Sequence, residues 1–164
     1  MSAVDFWIFV SSLADRNLLL FASVILIIYL FYKKEHKKAI LFLVASLGGI
    51  VLNKILKEIF QVPRPSDALI PIQGYSFPSG HAMSAVIFYS LLVFIFYKKI
   101  KNKIARNIFI LANALVILLV GLSRIMLKVH TIYDVMGGYI IGLLWLFVAY
   151  KSLLKINPKK QNRK

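Results

Sequence analysis

Apolar residues occur in long runs separated by short polar or basic segments. Five runs approach the length needed to cross a bilayer: 17–32, 39–60, 80–97, 104–122 and 133–154. A spanning helix takes about 20 residues. The first run is short for this, and Lys33 and Lys34 at its end can extend their ammonium groups to the interface. Residues 4–13 are also apolar, but ten residues do not span, and Asp15-Arg16 interrupts the run. That segment is predicted as an interfacial helix with Phe6 and Trp7 at the headgroup level. No basic segment precedes it, so it fits a cleaved signal peptide poorly. No internal repeat or long linker divides the chain. The predicted architecture is one all-α domain over residues 1–164: a polytopic membrane bundle of about five transmembrane helices plus the N-terminal interfacial helix.

Composition sharpens this picture. The 164 residues are 60% hydrophobic, whereas soluble domains are closer to half apolar. Cysteine is absent, which excludes a thiolate metal site. In a soluble protein a net charge of +15 would suggest a nucleic-acid partner. Here the cations cluster between apolar runs, which points to membrane topology and not to nucleic acid. With five spans, fifteen of the 21 basic residues follow the first, third and fifth runs. By the positive-inside rule the C-terminus is cytoplasmic, and the N-terminus and the two remaining loops face outward.

Those outward segments carry the polar chemistry. The loop 61–78 contains Pro63-Arg64-Pro65 and leads into Phe77-Pro78-Ser79-Gly80-His81. Proline ends helices and stiffens turns. Ser79 is predicted to cap the third spanning helix, with the N–H groups of Ser79, Gly80 and His81 forming an anion site. Gly80 would let an oxyanion approach the backbone. Lys57 lies near the outer end of the second spanning helix. Between the fourth and fifth runs, Arg124, His130 and Asp134 are spaced so that one site can use all three. His130 and Asp134, four apart, would share a helical face. A carboxylate beside an imidazole fixes its tautomer and leaves the other ring nitrogen free as base or nucleophile. The chain has sixteen lysines but five arginines, and Arg64 and Arg124 both face outward. Arginine suits bidentate phosphate recognition. His36, in a lysine-rich loop, is expected to be solvated surface.

Lys57…Arg64-Pro65, Pro78-Ser79-Gly80-His81 and Ser123-Arg124…His130…Asp134 together resemble the three motifs of the type 2 phosphatidic acid phosphatase (PAP2) family, in order and in spacing. That family also looks related to vanadium haloperoxidases. The motifs span residues 57 to 134, and no motif position departs from the pattern. The resemblance implies a helical bacterial membrane phosphatase of the cell envelope, in the cytoplasmic (inner) membrane with its site facing outward. His130 would attack phosphorus to form a phosphohistidine, Asp134 would orient His130, and His81 would protonate the leaving oxygen. Lys57, Arg64, Ser79, Gly80 and Arg124 would hold the phosphoryl oxygens, and Ser123 would have a less direct role. Fixed cations would supply the charge stabilisation, so neither metal nor cofactor is expected.

The implied substrate is a lipid phosphate drawn from the bilayer: undecaprenyl diphosphate, phosphatidylglycerol phosphate or the 1-phosphate of lipid A, or several of these. No obligatory protein partner is evident. The loop residues 68–72 are a candidate contact for lipid tails or an ordinary apolar anchor. Three rivals are a lipid phosphotransferase using the same residues, a haloperoxidase, and a non-catalytic lipid-binding membrane protein.

Overall fold

Each apolar run folds as a helix, and nearby polar residues fix most of the ends. The computed structural model describes residues 2–155. Among the described residues there are six α-helices and no strand: α1 (Ala3–Ser12), α2 (Arg16–Tyr32), α3 (His36–Phe60), α4 (Gly80–Phe96), α5 (Lys103–Met126) and α6 (Ile132–Lys155). Ser2 and Asp5 form a capping box on α1. Asp15 caps α2, accepting from the N–H groups of Asn17 and Leu18 at 2.9 and 3.1 Å. The Asn102 side chain accepts from Ala105 N–H at 3.0 Å and caps α5. Gln61, with φ of 48°, ends α3 in the left-handed conformation. α5 extends to Met126, four residues past its expected end, because the apolar pattern continues through Ile125 and Met126. Ser123 and Arg124 therefore sit on a helix rather than in a connector.

Four segments are long and apolar enough to cross a membrane: Ala3–Tyr32, which contains α1 and α2, His36–Phe60, Lys103–Met126 and Ile132–Leu153. α4 is a shorter apolar helix of 17 residues, about 25 Å long at ~1.5 Å per residue. It lies at the centre of the bundle, packed by α2, α3, α5 and α6. Met83, Val86, Ile87, Leu91 and Ile95 of α4 join Phe42, Leu30 and Val120 in the core. The surface is apolar instead of charged. On α5, Ile104, Ile108, Leu111, Leu115, Leu118 and Leu122 form an exposed stripe at helical spacing. In water such a surface would aggregate, and in a bilayer it faces lipid. The chain is thus a multi-pass membrane helical bundle.

Close backbone approach positions the N-terminus of α4. A Cβ on Gly138 of α6 would lie 2.7 Å from the carbonyl oxygen of Ser79, and one on Gly142 would lie 3.2 Å from that of Met83. Two glycines one turn apart let α6 pack almost directly on α4, as small residues do where membrane helices cross. Polar ties hold both ends of the bundle. Glu35 pairs with Lys38 and Lys99 at 2.6 Å each, joining the α2–α3 turn to the α4–α5 turn. At the opposite end Asp67 pairs with Lys128 at 2.7 Å, and Leu69 N–H donates to the Leu127 carbonyl at 3.0 Å. These contacts pin the long α3–α4 loop to the α5–α6 turn. α1 packs against α5, and Tyr89 donates to the Leu13 carbonyl at 2.8 Å. The predicted cytoplasmic cations Lys159, Lys160, Arg163 and Lys164 lie outside the described residues.

Candidate active site

The predicted site residues come from three segments: the last turn of α3 with the loop after it, the first turn of α4, and the α5–α6 junction. The structure brings them together at one end of the bundle. Arg64 links two of the segments. Its Nε donates to the Gly74 carbonyl at 2.8 Å and its Nη1 to the Val129 carbonyl at 2.9 Å. The same Nη1 lies 3.3 Å from Nε2 of His130. Lys57 donates from Nζ to the carbonyls of Tyr75 and Ser76, the second at 3.1 Å, which clamps the end of the long loop against α3.

His130 precedes α6 in the α5–α6 turn, so it and Asp134 do not share a helical turn as expected. The local cause is a capping box. Thr131 N–H and Oγ1 donate to Asp134 Oδ2 at 2.7 and 3.0 Å, while Asp134 N–H donates back to Thr131 Oγ1 at 3.3 Å. Ser76 Oγ lies 3.3 Å from the other carboxylate oxygen and 3.1 Å from the Pro63 carbonyl, which share its one proton. Asp134 is therefore fixed before it touches the imidazole. His130 Nδ1 faces Oδ2 at 3.7 Å, longer than a hydrogen bond. Catalytic contacts of this kind often tighten only once substrate binds. The ring is thus arranged with Nδ1 toward the carboxylate and Nε2 toward a guanidinium. His130 is 4% exposed. Burial pushes its pKa down to about 4, with Arg64, Arg124 and Lys57 acting in the same direction and Asp134 opposing them. The resting imidazole is neutral.

Ser79 stands at the N-cap of α4 as predicted, yet its side chain makes no capping bond. Its N–H is also not free for an anion, because it donates to the Asp134 carbonyl at 2.9 Å. The reason is the tight α4–α6 crossing, which brings the Ser79 backbone against α6. Gly80 and His81 occupy the first two helical positions, where N–H groups have no partner within the helix. A Cβ on Gly80 would come within 3.2 Å of Asn53 Oδ1, and the Asn53 amide donates to the Pro78 carbonyl at 3.2 Å. Three buried polar atoms of the motif residues have no partner: Ser79 Oγ, Arg124 Nε and His130 Nδ1. Buried groups of this kind are normally satisfied; Nδ1 faces Asp134, while Ser79 Oγ and Arg124 Nε, at one end of the bundle, fit a site that is completed by an anion.

Sequence reasoning missed several supporting residues. Arg124 donates from Nη1 to the hydroxyl of Ser11 on α1, and a single serine in an apolar helix gives no signal of this. Ser76 and Asn53 were equally silent. The Thr131-x-x-Asp134 box was visible as a capping pattern ahead of an apolar run.

A buried imidazole lies between a carboxylate and a guanidinium, beside a helix start in a membrane bundle, and such a cluster of cations and free N–H groups suits an oxyanion. The chain belongs to the PAP2 superfamily, whose family model matches residues 37–158. It is similar to phosphatidylglycerophosphatase B of Bacillus subtilis (strain 168), with 36% identity over 122 residues, covering 73% of this chain and 59% of that protein. It is also similar to the undecaprenyl-diphosphatase BcrC of the same organism, with 27% identity over 152 residues, covering 87% and 74%. Two solved structures share the fold. The first transmembrane PAP2 type phosphatidylglycerolphosphate phosphatase from Bacillus subtilis superposes with a TM-score of 0.83 at 29% identity, covering 96% of this chain and 79% of that one. Aquifex aeolicus LpxE gives 0.70 at 27%, covering 90% and 85%.

Proposed function

We propose that this protein is a lipid phosphate phosphatase working through a phosphohistidine at His130. The observation that carries the proposal is the orientation of the His130 ring: Nδ1 faces Asp134 and Nε2 lies 3.3 Å from an Arg64 guanidinium nitrogen. Lys57, Arg64, Arg124, Ser79 Oγ and the N–H groups of Gly80 and His81 hold the phosphoryl oxygens. His130 Nε2 attacks phosphorus in line, and Asp134 stabilises the resulting charge on the ring. His81, protonated in the substrate complex where the negative phosphate offsets the surrounding cations, gives its proton to the leaving oxygen, then takes one from the water that cleaves the phosphohistidine. Fixed cations meet the charge requirement of phosphoryl transfer. The substrate is a membrane lipid bearing a terminal phosphate, and the relatives' names suggest phosphatidylglycerol phosphate or undecaprenyl diphosphate. The site faces outward from a bacterial cytoplasmic membrane, in keeping with the segregation of lysines. Purified protein in excess chelator should release inorganic phosphate from these lipids, and vanadate should inhibit by resembling the transition state. Activity lost in chelator and restored by Mg²⁺ would mean that an ion supplies charge assigned here to the protein.

A further inference from the structure

A cavity of about 570 Å³ opens beside the candidate active site and is only partly explained by its motifs. That volume lies in the usual range for small-molecule sites, about 300–1,000 Å³. Its walls include Lys57, Gly80 and His81, but also Asp15, Arg16 and Lys54, which belong to no motif. His130 is not among its lining residues. Gly80 and His81 also offer their N–H groups to the reacting phosphate in the reading above, so the cavity adjoins that phosphate, with His130 outside its wall. In an in-line displacement the leaving group departs on the side opposite the nucleophile. His81, assigned above to the leaving oxygen, is part of the cavity wall, so the cavity can take what lies beyond that oxygen.

The charges there are unbalanced. Arg16, Lys54 and Lys57 face one carboxylate, Asp15, and Asp15 is already engaged in capping α2. Among the described residues neither Arg16 nor Lys54 forms an ion pair. A leaving group that becomes a neutral diacylglycerol would bring no charge to them, whereas one carrying a phosphate would.

We infer that Arg16 and Lys54 form an accessory anion subsite that selects lipids whose leaving group carries a second phosphate. This rests on the phosphatase reading above and specifies its substrate class. The second phosphate can be joined directly to the first, as in a prenyl diphosphate, or through glycerol, as in phosphatidylglycerol phosphate. Binding energy from this remote group raises kcat/KM without touching the reacting phosphorus.

The test uses the full chain in lipid–detergent micelles and measures phosphate release from a polyprenyl diphosphate, phosphatidylglycerol phosphate and phosphatidic acid. No release by the wild type from any of the three would refute the phosphatase reading itself. Given release, Arg16→Gln/Lys54→Gln should lower kcat/KM for a lipid with a second phosphate, relative to phosphatidic acid, by about tenfold or more. Arg16→Lys/Lys54→Arg should recover most of that ratio. A loss confined to the diphosphate would place the second phosphate next to the scissile bond, and a loss confined to phosphatidylglycerol phosphate would place it a glycerol away. Lys54→Gln alone, which leaves the first turn of α2 intact, should show the same bias in smaller measure. A ratio unchanged in both the double and the single variant overturns the subsite.

Discussion

The guanidinium of Arg124 donates to the hydroxyl of Ser11, 113 residues earlier in the chain. Arg124 is only 2% exposed and among the described residues its Nε has no partner, so Ser11 holds one arm of the fork while Nε is open to a further acceptor. On the reading proposed above, Ser11 would position Arg124, and α1, which carries it, would support the site. Ser11→Ala should lower kcat about tenfold, the scale of one hydrogen bond to a charged group, with a smaller change in KM. Ser11→Thr should restore it. A Ser11→Ala enzyme with wild-type kcat would show that Arg124 needs no anchor.

Burial sets the protonation of His130. With its pKa pushed down to about 4, below the ordinary ~6.5, the folded protein keeps the ring neutral where the unfolded chain would protonate it. The unfolded state then binds more protons between these values, so this contribution to stability is present above pH ~6.5 and is lost as pH falls toward about 4. Ring-nitrogen chemical shifts of labelled histidine in micelles, assigned with His36→Gln and His81→Gln variants, should show the His130 midpoint near 4. A midpoint near 6.5 would contradict the buried, neutral resting state.

The α4–α6 crossing couples packing to the site. In Gly138→Ala the new methyl would meet the Ser79 carbonyl at 2.7 Å, and backbone cannot swing away as a side chain can. Overpacking of this kind destabilises by roughly 1–3 kcal/mol. Thermal unfolding in detergent should show a clear fall in Tm, with phosphate turnover reduced as the start of α4 shifts. Leu115→Ala, on the lipid-facing stripe, should change Tm far less. Equal Tm values for the two variants would mean that the crossing is not tight.

The segregation of lysines predicts the topology. Cysteines introduced at Ser66 and Lys101 should react with an impermeant thiol reagent from opposite faces of the membrane, Ser66 from outside. Labelling of both from one face would remove the five-span, outward-site arrangement.

The helices were legible because a bilayer demands long apolar runs, and the three motifs were legible because their spacing is tight and local. What escaped was of two kinds. Contacts such as Ser11–Arg124 and Asp67–Lys128 join distant segments, and no periodicity encodes them. Competition for atoms was the other. Ser79 was expected to cap α4 with its side chain and offer its N–H to an anion, but the N–H is taken by Asp134 and the hydroxyl is left unpaired. Asp134 was expected to orient His130, and its carboxylate is also held by Thr131 and lies beside Ser76. The end of α5 was placed four residues short because Arg124 looked like the start of a connector, whereas a buried, partnered arginine is tolerated in a helix's last turn.

The central claim is that His130 is the nucleophile and His81 the acid, and one comparison bears on it most directly. Wild type, His130→Ala and His81→Ala are each assayed on a lipid alkyl phosphate and on an activated aryl phosphate, with rapid quenching of the labelled aryl reaction. His130→Ala should be inactive on both esters and trap no label. His81→Ala should lose about 10²–10⁴-fold on the alkyl ester but retain measurable turnover of the aryl ester, whose leaving group needs no proton. Acid-labile phosphate should be found on His130. Sustained aryl ester turnover by His130→Ala, or label on any other residue, would contradict the assignment.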